Sequence, residues 1–254
     1  MAIFDQYEPN RMCWLDLNST NTEASRQFYG QLFGWVPEAD PDPAMGGYQN
    51  MLLNGKRVCG LAPTMSPEQR DSWNMYVCTD DAAKSLEVAE QNGATVIVPA
   101  AEVSEKGTFG GFADPGGSFV GVWQPKSHKG AQIGNEAGAW MASELNSSNV
   151  GQVTDFYKQV FNWEVSPWEG TDGYYTIMLN DFVAGVMRDQ PASLGNTSAT
   201  WVNYFVCSDL DATTQDIERL GGQPVGNIEQ IPIARKALYR DPQGALFGMF
   251  EMRG

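Results

Sequence analysis

Apolar and polar residues alternate with a period of two over Met12 to Ser19, setting Trp14, Asp16 and Asn18 on one face and Leu15 and Leu17 on the other, as a half-buried strand requires. The period then changes. Asn21 stands where a helix N-cap is wanted, and Ala24, Phe28 and Leu32 recur every fourth residue until Gly34 closes the segment. Between the apolar stretches of Met51 to Leu61, Asn54-Gly55 predicts a two-residue hairpin turn. Trp73 to Thr79 opens a second round, with a helix from Asp80 or Asp81 to Asn92 ended by Gly93 and a strand at Thr95 to Val98. Strands at Thr108 to Ala113 and Phe119 to Trp123 then flank the turn Asp114-Pro115-Gly116-Gly117.

The same order returns from Trp140. A strand to Ser147 precedes a helix capped by Asn149, with Val153, Phe156, Tyr157 and Val160 on its apolar side, and a hairpin about Asn180-Asp181. Trp201 to Cys207, a helix from Asp209 to Leu220, Gly221-Gly222 and strands about Asp241-Pro242-Gln243-Gly244 complete it. Residues repeat as well as pattern. Leu17 to Trp35 matches Leu145 to Trp163 at 9 of 19 positions with an offset of 128, and the two D-P-x-G turns recur at an offset of 127. Markers at opposite ends of a unit keep nearly the same separation, so the whole unit is duplicated. The expected fold class is α+β: four βαβββ units in two tandem domains, 1–123 and 139–254, each sheet curving round a concave face able to hold a ligand. Residues 124–138 read as the linker, and the only histidine, His128, reads there as a solvated residue.

Charge narrows the partners. Thirty-one acidic against sixteen basic residues give −15, which opposes phosphate backbones and anionic lipid and fits either a soluble surface or the attraction of a cationic ligand. No nucleic acid and no membrane are expected, since no apolar run reaches the roughly 20 residues of a span. The start, MAIFDQYEPNR, has no signal-like pattern, so a cytoplasmic location is expected, as monomer or homodimer. Cys13, Cys59, Cys78 and Cys207 lack metal or redox spacing and read as buried free thiols. No phosphate-loop, dinucleotide or G-x-S-x-G pattern is present, and Gly46-Gly47, Gly110-Gly111 and Gly116-Gly117 read as turns.

Phe28 to Trp35 (F-Y-x-x-L-F-G-W), Phe156 to Trp163 (F-Y-x-x-V-F-N-W) and the two late D-P-x-G turns, in βαβββ order, resemble the glyoxalase, bleomycin-resistance and extradiol-dioxygenase (vicinal oxygen chelate) superfamily, in particular its tandem glyoxalase-like members. The resemblance implies two half-barrels. In metal-dependent members it implies a ligand on the first strand, one on the first strand of the second unit and a Glu on the last strand. Carried onto this chain, those places are Trp14, Trp73 and Gly121, then Ala142, Val202 or Trp201, and Gly248. None ligates a divalent metal, so the expectation is no metal and no cofactor.

By strand parity the first concave face should carry Met12, Trp14, Asp16, Asn18, Trp73, Met75, Phe119 and Trp123. The second should carry Trp140, Glu144, Asn146, Tyr204, Leu246 and Phe250. Trp14 and Trp73 either stack on a planar or cationic ligand or plug a lost metal site. Asp16 and Glu144, equivalent by the repeat, are the candidate catalytic acids, or serve to neutralise a bound amine or to reach water. Asn18 and Asn146 hold either ligand or the turn into the helix. Two functions follow: a metal-independent small-molecule binding or resistance protein for a planar or cationic metabolite or antibiotic, or a glyoxalase-like lyase or isomerase using a cavity carboxylate.

Overall fold

The computed structural model describes residues 2–39, 45–195 and 198–253. The first half comprises β1 (Ala2–Ile3), β2 (Met12–Ser19), α1 (Thr22–Phe33), β3 (Val36–Ala39), β4 (Gln49–Leu53), β5 (Lys56–Pro63), β6 (Ser72–Cys78), α2 (Ala82–Gln91), β7 (Thr95–Val103), β8 (Gly107–Ala113), β9 (Phe119–Pro125) and β10 (Ile133–Gly134). The second comprises β11 (Trp140–Ser147), α3 (Val150–Phe161), β12 (Glu164–Pro167), β13 (Tyr174–Leu179), β14 (Phe182–Asp189), β15 (Thr200–Val206), α4 (Leu210–Arg219), β16 (Gln223–Ile231), β17 (Ala234–Arg240) and β18 (Leu246–Met252). Each half builds one eight-stranded sheet, in the orders β3-β4-β5-β2-β6-β9-β8-β7 and β12-β13-β14-β11-β15-β18-β17-β16. The two first strands of each half meet antiparallel at the centre, and each pairs in parallel with the last strand of its own unit. This is the α+β architecture of four βαβββ units.

Local chemistry sets the boundaries. The Asn21 side chain accepts from Ala24 N at 3.1 Å and that of Asn149 from Gln152 N at 3.2 Å, so both long helices begin on a satisfied cap. They end in left-handed residues, Gly34 (φ 74°) and Asn162 (φ 55°). The edge strand β7 runs five residues past Val98 because its register shifts on both sides of Val98, and an edge admits Pro99 without losing a ladder bond. Gly110-Gly111 is not a turn. Both glycines lie inside β8, where a Cβ at Gly111 would come within 2.4 Å of the Phe119 ring.

The duplicated F-Y motif builds the seam between the halves. Tyr29 of α1 donates to Asp241 at 3.0 Å, and Tyr157 of α3 donates to Asp114 at 2.6 Å, so each half's helix holds the other half's D-P-x-G turn. Each tyrosine oxygen accepts from a strand tryptophan, Trp73 at 2.9 Å and Trp201 at 2.9 Å. Phe28 packs on Phe247 and Phe156 on Phe112, and one apolar core runs through both halves. Burying these rings is the main driving force holding the halves together. All four cysteines are buried and free.

Candidate functional site

Strand register decides what faces the first concavity. Directly opposed residues of an antiparallel pair share a face, and β2 opposes Trp14 to Tyr76, Asp16 to Asn74 and Asn18 to Ser72. The concave face of β6 therefore carries Ser72, Asn74 and Tyr76. Trp73 and Met75, expected there, point into the core instead, Trp73 toward Tyr29 and Met75 with no exposed surface. Met12 and Trp140 are displaced for a different reason. A register shift between Met12 and Trp14, repeated between Trp140 and Ala142, pairs them with the core residues Val77 and Phe205. Trp14, Asp16, Asn18, Phe119 and Trp123 do face the cavity.

That cavity has a volume of about 1190 Å³. Its walls include Trp14, Tyr48, Tyr76, Phe109, Phe119 and Trp123, and Arg57, engaged with Glu38 at 2.9 Å, is among its lining charges. Asp16 keeps surface toward the opening while protein encloses it elsewhere. Its Oδ1 accepts from Trp14 Nε1 at 2.8 Å and from the Tyr48 hydroxyl at 2.7 Å. Burial pushes the Asp16 carboxyl above the usual range, opposed by hydrogen bonds from Tyr48, Trp14 and Tyr76. Burial and the nearby Asp16 charge push both Tyr48 and Tyr76 well above the ordinary phenol value. Gly60 makes this arrangement possible: a Cβ there would lie 2.0 Å from the Tyr48 hydroxyl and 2.1 Å from Asp16 Oδ1. Asn18 accepts from Asn74 at 2.5 Å and takes no part in the helix cap.

His128 is not a solvated linker residue. Its ring meets Trp14 edge-on at 4.4 Å and lies 5.6 Å from Trp123, and its backbone carbonyl accepts from Trp123 Nε1 at 2.9 Å. It lines the cavity with Nε2 buried and without a hydrogen-bond partner. Burial, aided by the charges of Arg57 and Lys106, lowers its pKa to about 4. The imidazole is therefore neutral at neutral pH.

The second concavity is filled. Lys236 of β17, with a side chain 3 % exposed, pairs with Glu144, 5 % exposed, and donates to the Tyr204 hydroxyl at 3.3 Å. Its ammonium lies 4.8 Å from the Tyr174 ring centre and 4.9 Å from that of Tyr204. Tyr204 donates to Glu144 at 3.0 Å. Tyr174 and Arg188 both donate to Glu229, at 2.6 Å and 2.7 Å. Burial lowers the Lys236 pKa against the pull of Glu144, while for Glu229 the effect of burial is outweighed by Tyr174, Arg188 and Lys236, leaving it below the usual range. Tyr204, Leu246 and Phe250 pack in the apolar cluster around this network, and Asn146 is fully buried, its amide donating to the Glu144 carbonyl at 3.4 Å. Glu144 is thus a structural ion-pair partner, not a carboxylate open to a substrate.

Tyr48, Asn74, Tyr76, Phe109 and His128 escaped the sequence reading. The antiparallel pairing of β2 with β6 would have supplied Asn74 and Tyr76, since their alternation with Trp73 and Met75 leaves only one polar set. His128 has no such signal, because its position follows from how the segment after β9 folds back: Ala131 N donates to the Cys13 carbonyl at 2.8 Å.

No family model matches the chain. It is 32% identical over 254 residues to the "Putative glyoxylase CFP32" of Mycobacterium tuberculosis, covering 97% of this chain and 96% of that protein. It is 30% identical over 270 residues to the "Anthracycline biosynthesis protein DnrV" of Streptomyces peucetius, covering 98% and 95%. The chain belongs to the vicinal oxygen chelate superfamily. Among solved structures, the fold of this tandem glyoxalase-like protein is similar to a 2,2',3-trihydroxybiphenyl 1,2-dioxygenase of Sphingomonas wittichii (TM-score 0.65, 16% identity, 96% of this chain and 91% of that one). It is also similar to a Mn(II)-bound glyoxalase of Novosphingobium aromaticivorans (TM-score 0.61, 16% identity, 96% and 82%).

The superfamily's metal positions fall on one row of each sheet. In the first half β2, β6 and β9 bring Trp14, Tyr76 and Gly121 together, so the middle place belongs to Tyr76 and not Trp73. In the second, Ala142, Tyr204 and Gly248 form the row, with Tyr204 in place of Val202 or Trp201. Each tyrosine ring covers its glycine: a Cβ at Gly121 would lie 2.2 Å from Tyr76, and one at Gly248 2.3 Å from Tyr204. A row offering one phenol does not fit a divalent ion.

Proposed function

We propose that this protein binds a planar aromatic small molecule in the first half's concavity, without a metal ion, as a binding or resistance protein. The observation that carries the reading is the large cavity walled by Trp14, Tyr76, Phe109, Phe119 and Trp123. Aromatic rings give offset-stacking surfaces at small entropic cost, and polar groups among the lining, Asp16, Asn74 and His128, fix orientation. The name of the Streptomyces relative, an anthracycline biosynthesis protein, accords with a planar polycyclic ligand. Calorimetric titration with two- to four-ring aromatics should give one site per chain with affinity tighter than millimolar, weakened by Trp14→Ala. Absence of such binding across the panel would contradict the reading.

A second reading rests on Asp16, whose carboxyl is raised by burial and open to the cavity. In it the protein is a lyase or isomerase and Asp16 moves a proton to or from a bound substrate. Asp16→Asn should then abolish turnover of a responsive substrate while the far-UV spectrum stays unchanged; retained turnover would exclude it.

A further inference from the structure

The duplication lets the filled half show what the open half is shaped to receive. By register, Glu144 takes the place of Asp16 and Tyr204 that of Tyr76. Tyr174 opposes Arg188 on β14 and Tyr175 opposes Met187; Tyr48, one residue before β4, precedes Gln49, which opposes Leu61 on β5 in the same way. In the second half this carboxylate and two tyrosine rings surround an ammonium, that of Lys236. An ammonium answers such a box well, because it offers three donors to the carboxylate and hydroxyls and is attracted by both ring faces.

The first half keeps the box and lacks the plug. Phe109, opposite Ala101, replaces Lys236, opposite Glu229. Ala62 beside Asn18 replaces Arg188 beside Asn146, and Gly60 beside Asp16 replaces Val186 beside Glu144. The changes remove the counterparts of Lys236 and Arg188, while Arg57 and Lys106 line the same cavity, and Gly60 lets the Tyr48 hydroxyl reach Asp16. We propose that Asp16, Tyr48 and Tyr76 form a receptor for the protonated amine of the ligand, which takes there the place that Lys236 takes within the second half. This rests on the first concavity being a ligand site, and it adds the chemical class: an aromatic compound bearing a primary or secondary amine. The net charge of −15 favours the encounter. Burial raises the pKa of Asp16 in the absence of a partner, and an arriving ammonium would reverse that.

The test uses naphthylmethylamine and its neutral counterpart naphthylmethanol, titrated at neutral pH into the full chain. The wild type should prefer the amine by about tenfold or more, the scale of a hydrogen bond to a charged group. Asp16→Asn, which keeps the size of the side chain, should collapse that ratio toward one. Phe109→Lys should plug the box from within and reduce amine binding by about tenfold or more. Equal binding of both probes by the wild type, or an undiminished ratio in Asp16→Asn, overturns the amine receptor and leaves the aromatic site standing. Binding of neither probe removes the site itself, and the receptor with it.

Discussion

The two halves share a fold, a seam and an acid at the same place on the first strand, yet they treat that acid in opposite ways. Glu144 is locked to Lys236 inside a set of tyrosines, Arg188 and Glu229. Among the described residues Asp16 is met by neutral donors, Trp14 and Tyr48 with Tyr76 nearby, and faces a cavity. A handful of side chains on β5 and β8, Gly60, Ala62 and Phe109 against Val186, Arg188 and Lys236, separates a plugged half-barrel from an open one. Duplication thus lets one copy serve as a braced scaffold while the other keeps its concavity.

The difference should be largest in stability. Lys236→Ala strands Glu144 in the interior and should cost about 3–5 kcal/mol in urea denaturation, as removal of one partner of a buried pair does. Phe109→Ala, at the matching place on the half-exposed wall of the first half, should cost clearly less. Equal losses would mean the two concavities are not differently built.

Next comes pH. An unfolded histidine titrates near 6.5 and His128 in the folded chain at about 4, so the folded state binds fewer protons between those values and loses stability as pH falls. Between about pH 7 and about pH 5 that loss should reach about 2 kcal/mol. His128→Gln should remove it. Asp16, with its raised pKa, acts in the opposite sense, so the wild type should be compared with His128→Gln rather than read alone. A pH slope that is the same in both proteins would show His128 to be solvated after all.

The smallest effect is that at Asp16, and its sign is opposite to that of the larger effect at Glu144. Asp16→Asn removes a carboxylate that burial disfavours and should raise the urea midpoint slightly, whereas Glu144→Gln strips Lys236 of its counter-charge and should lower it. Two changes of the same sign would break the proposed division between an open and a satisfied acid.

How much of this was legible beforehand follows from range. The caps at Asn21 and Asn149 and the turns at Asn54-Gly55 and Asp114 depend on neighbours in sequence and were read directly. The face of β2 around Trp14, Asp16 and Asn18 was read from alternation. Trp73 and Met75 were misplaced because parity says which residues share a face, and only pairing with β2 says which face that is. Met12 and Trp140 were misplaced because a bulge shifts parity by one within the strand. Nothing in the sequence pairs Glu144 with Lys236, 92 residues apart, or brings His128 against Trp14; both contacts arise when distant strands and loops close on one sheet.

On the proposed function, ligand enters the first half alone. Copying the second half's residue into the floor of the first, Gly60→Val, puts side-chain atoms where the Tyr48 hydroxyl and Asp16 now lie. Calorimetric titration with naphthylmethylamine should then show one site per chain in the wild type and none in Gly60→Val, provided both proteins melt cooperatively. Undiminished binding in a folded Gly60→Val protein would contradict the account.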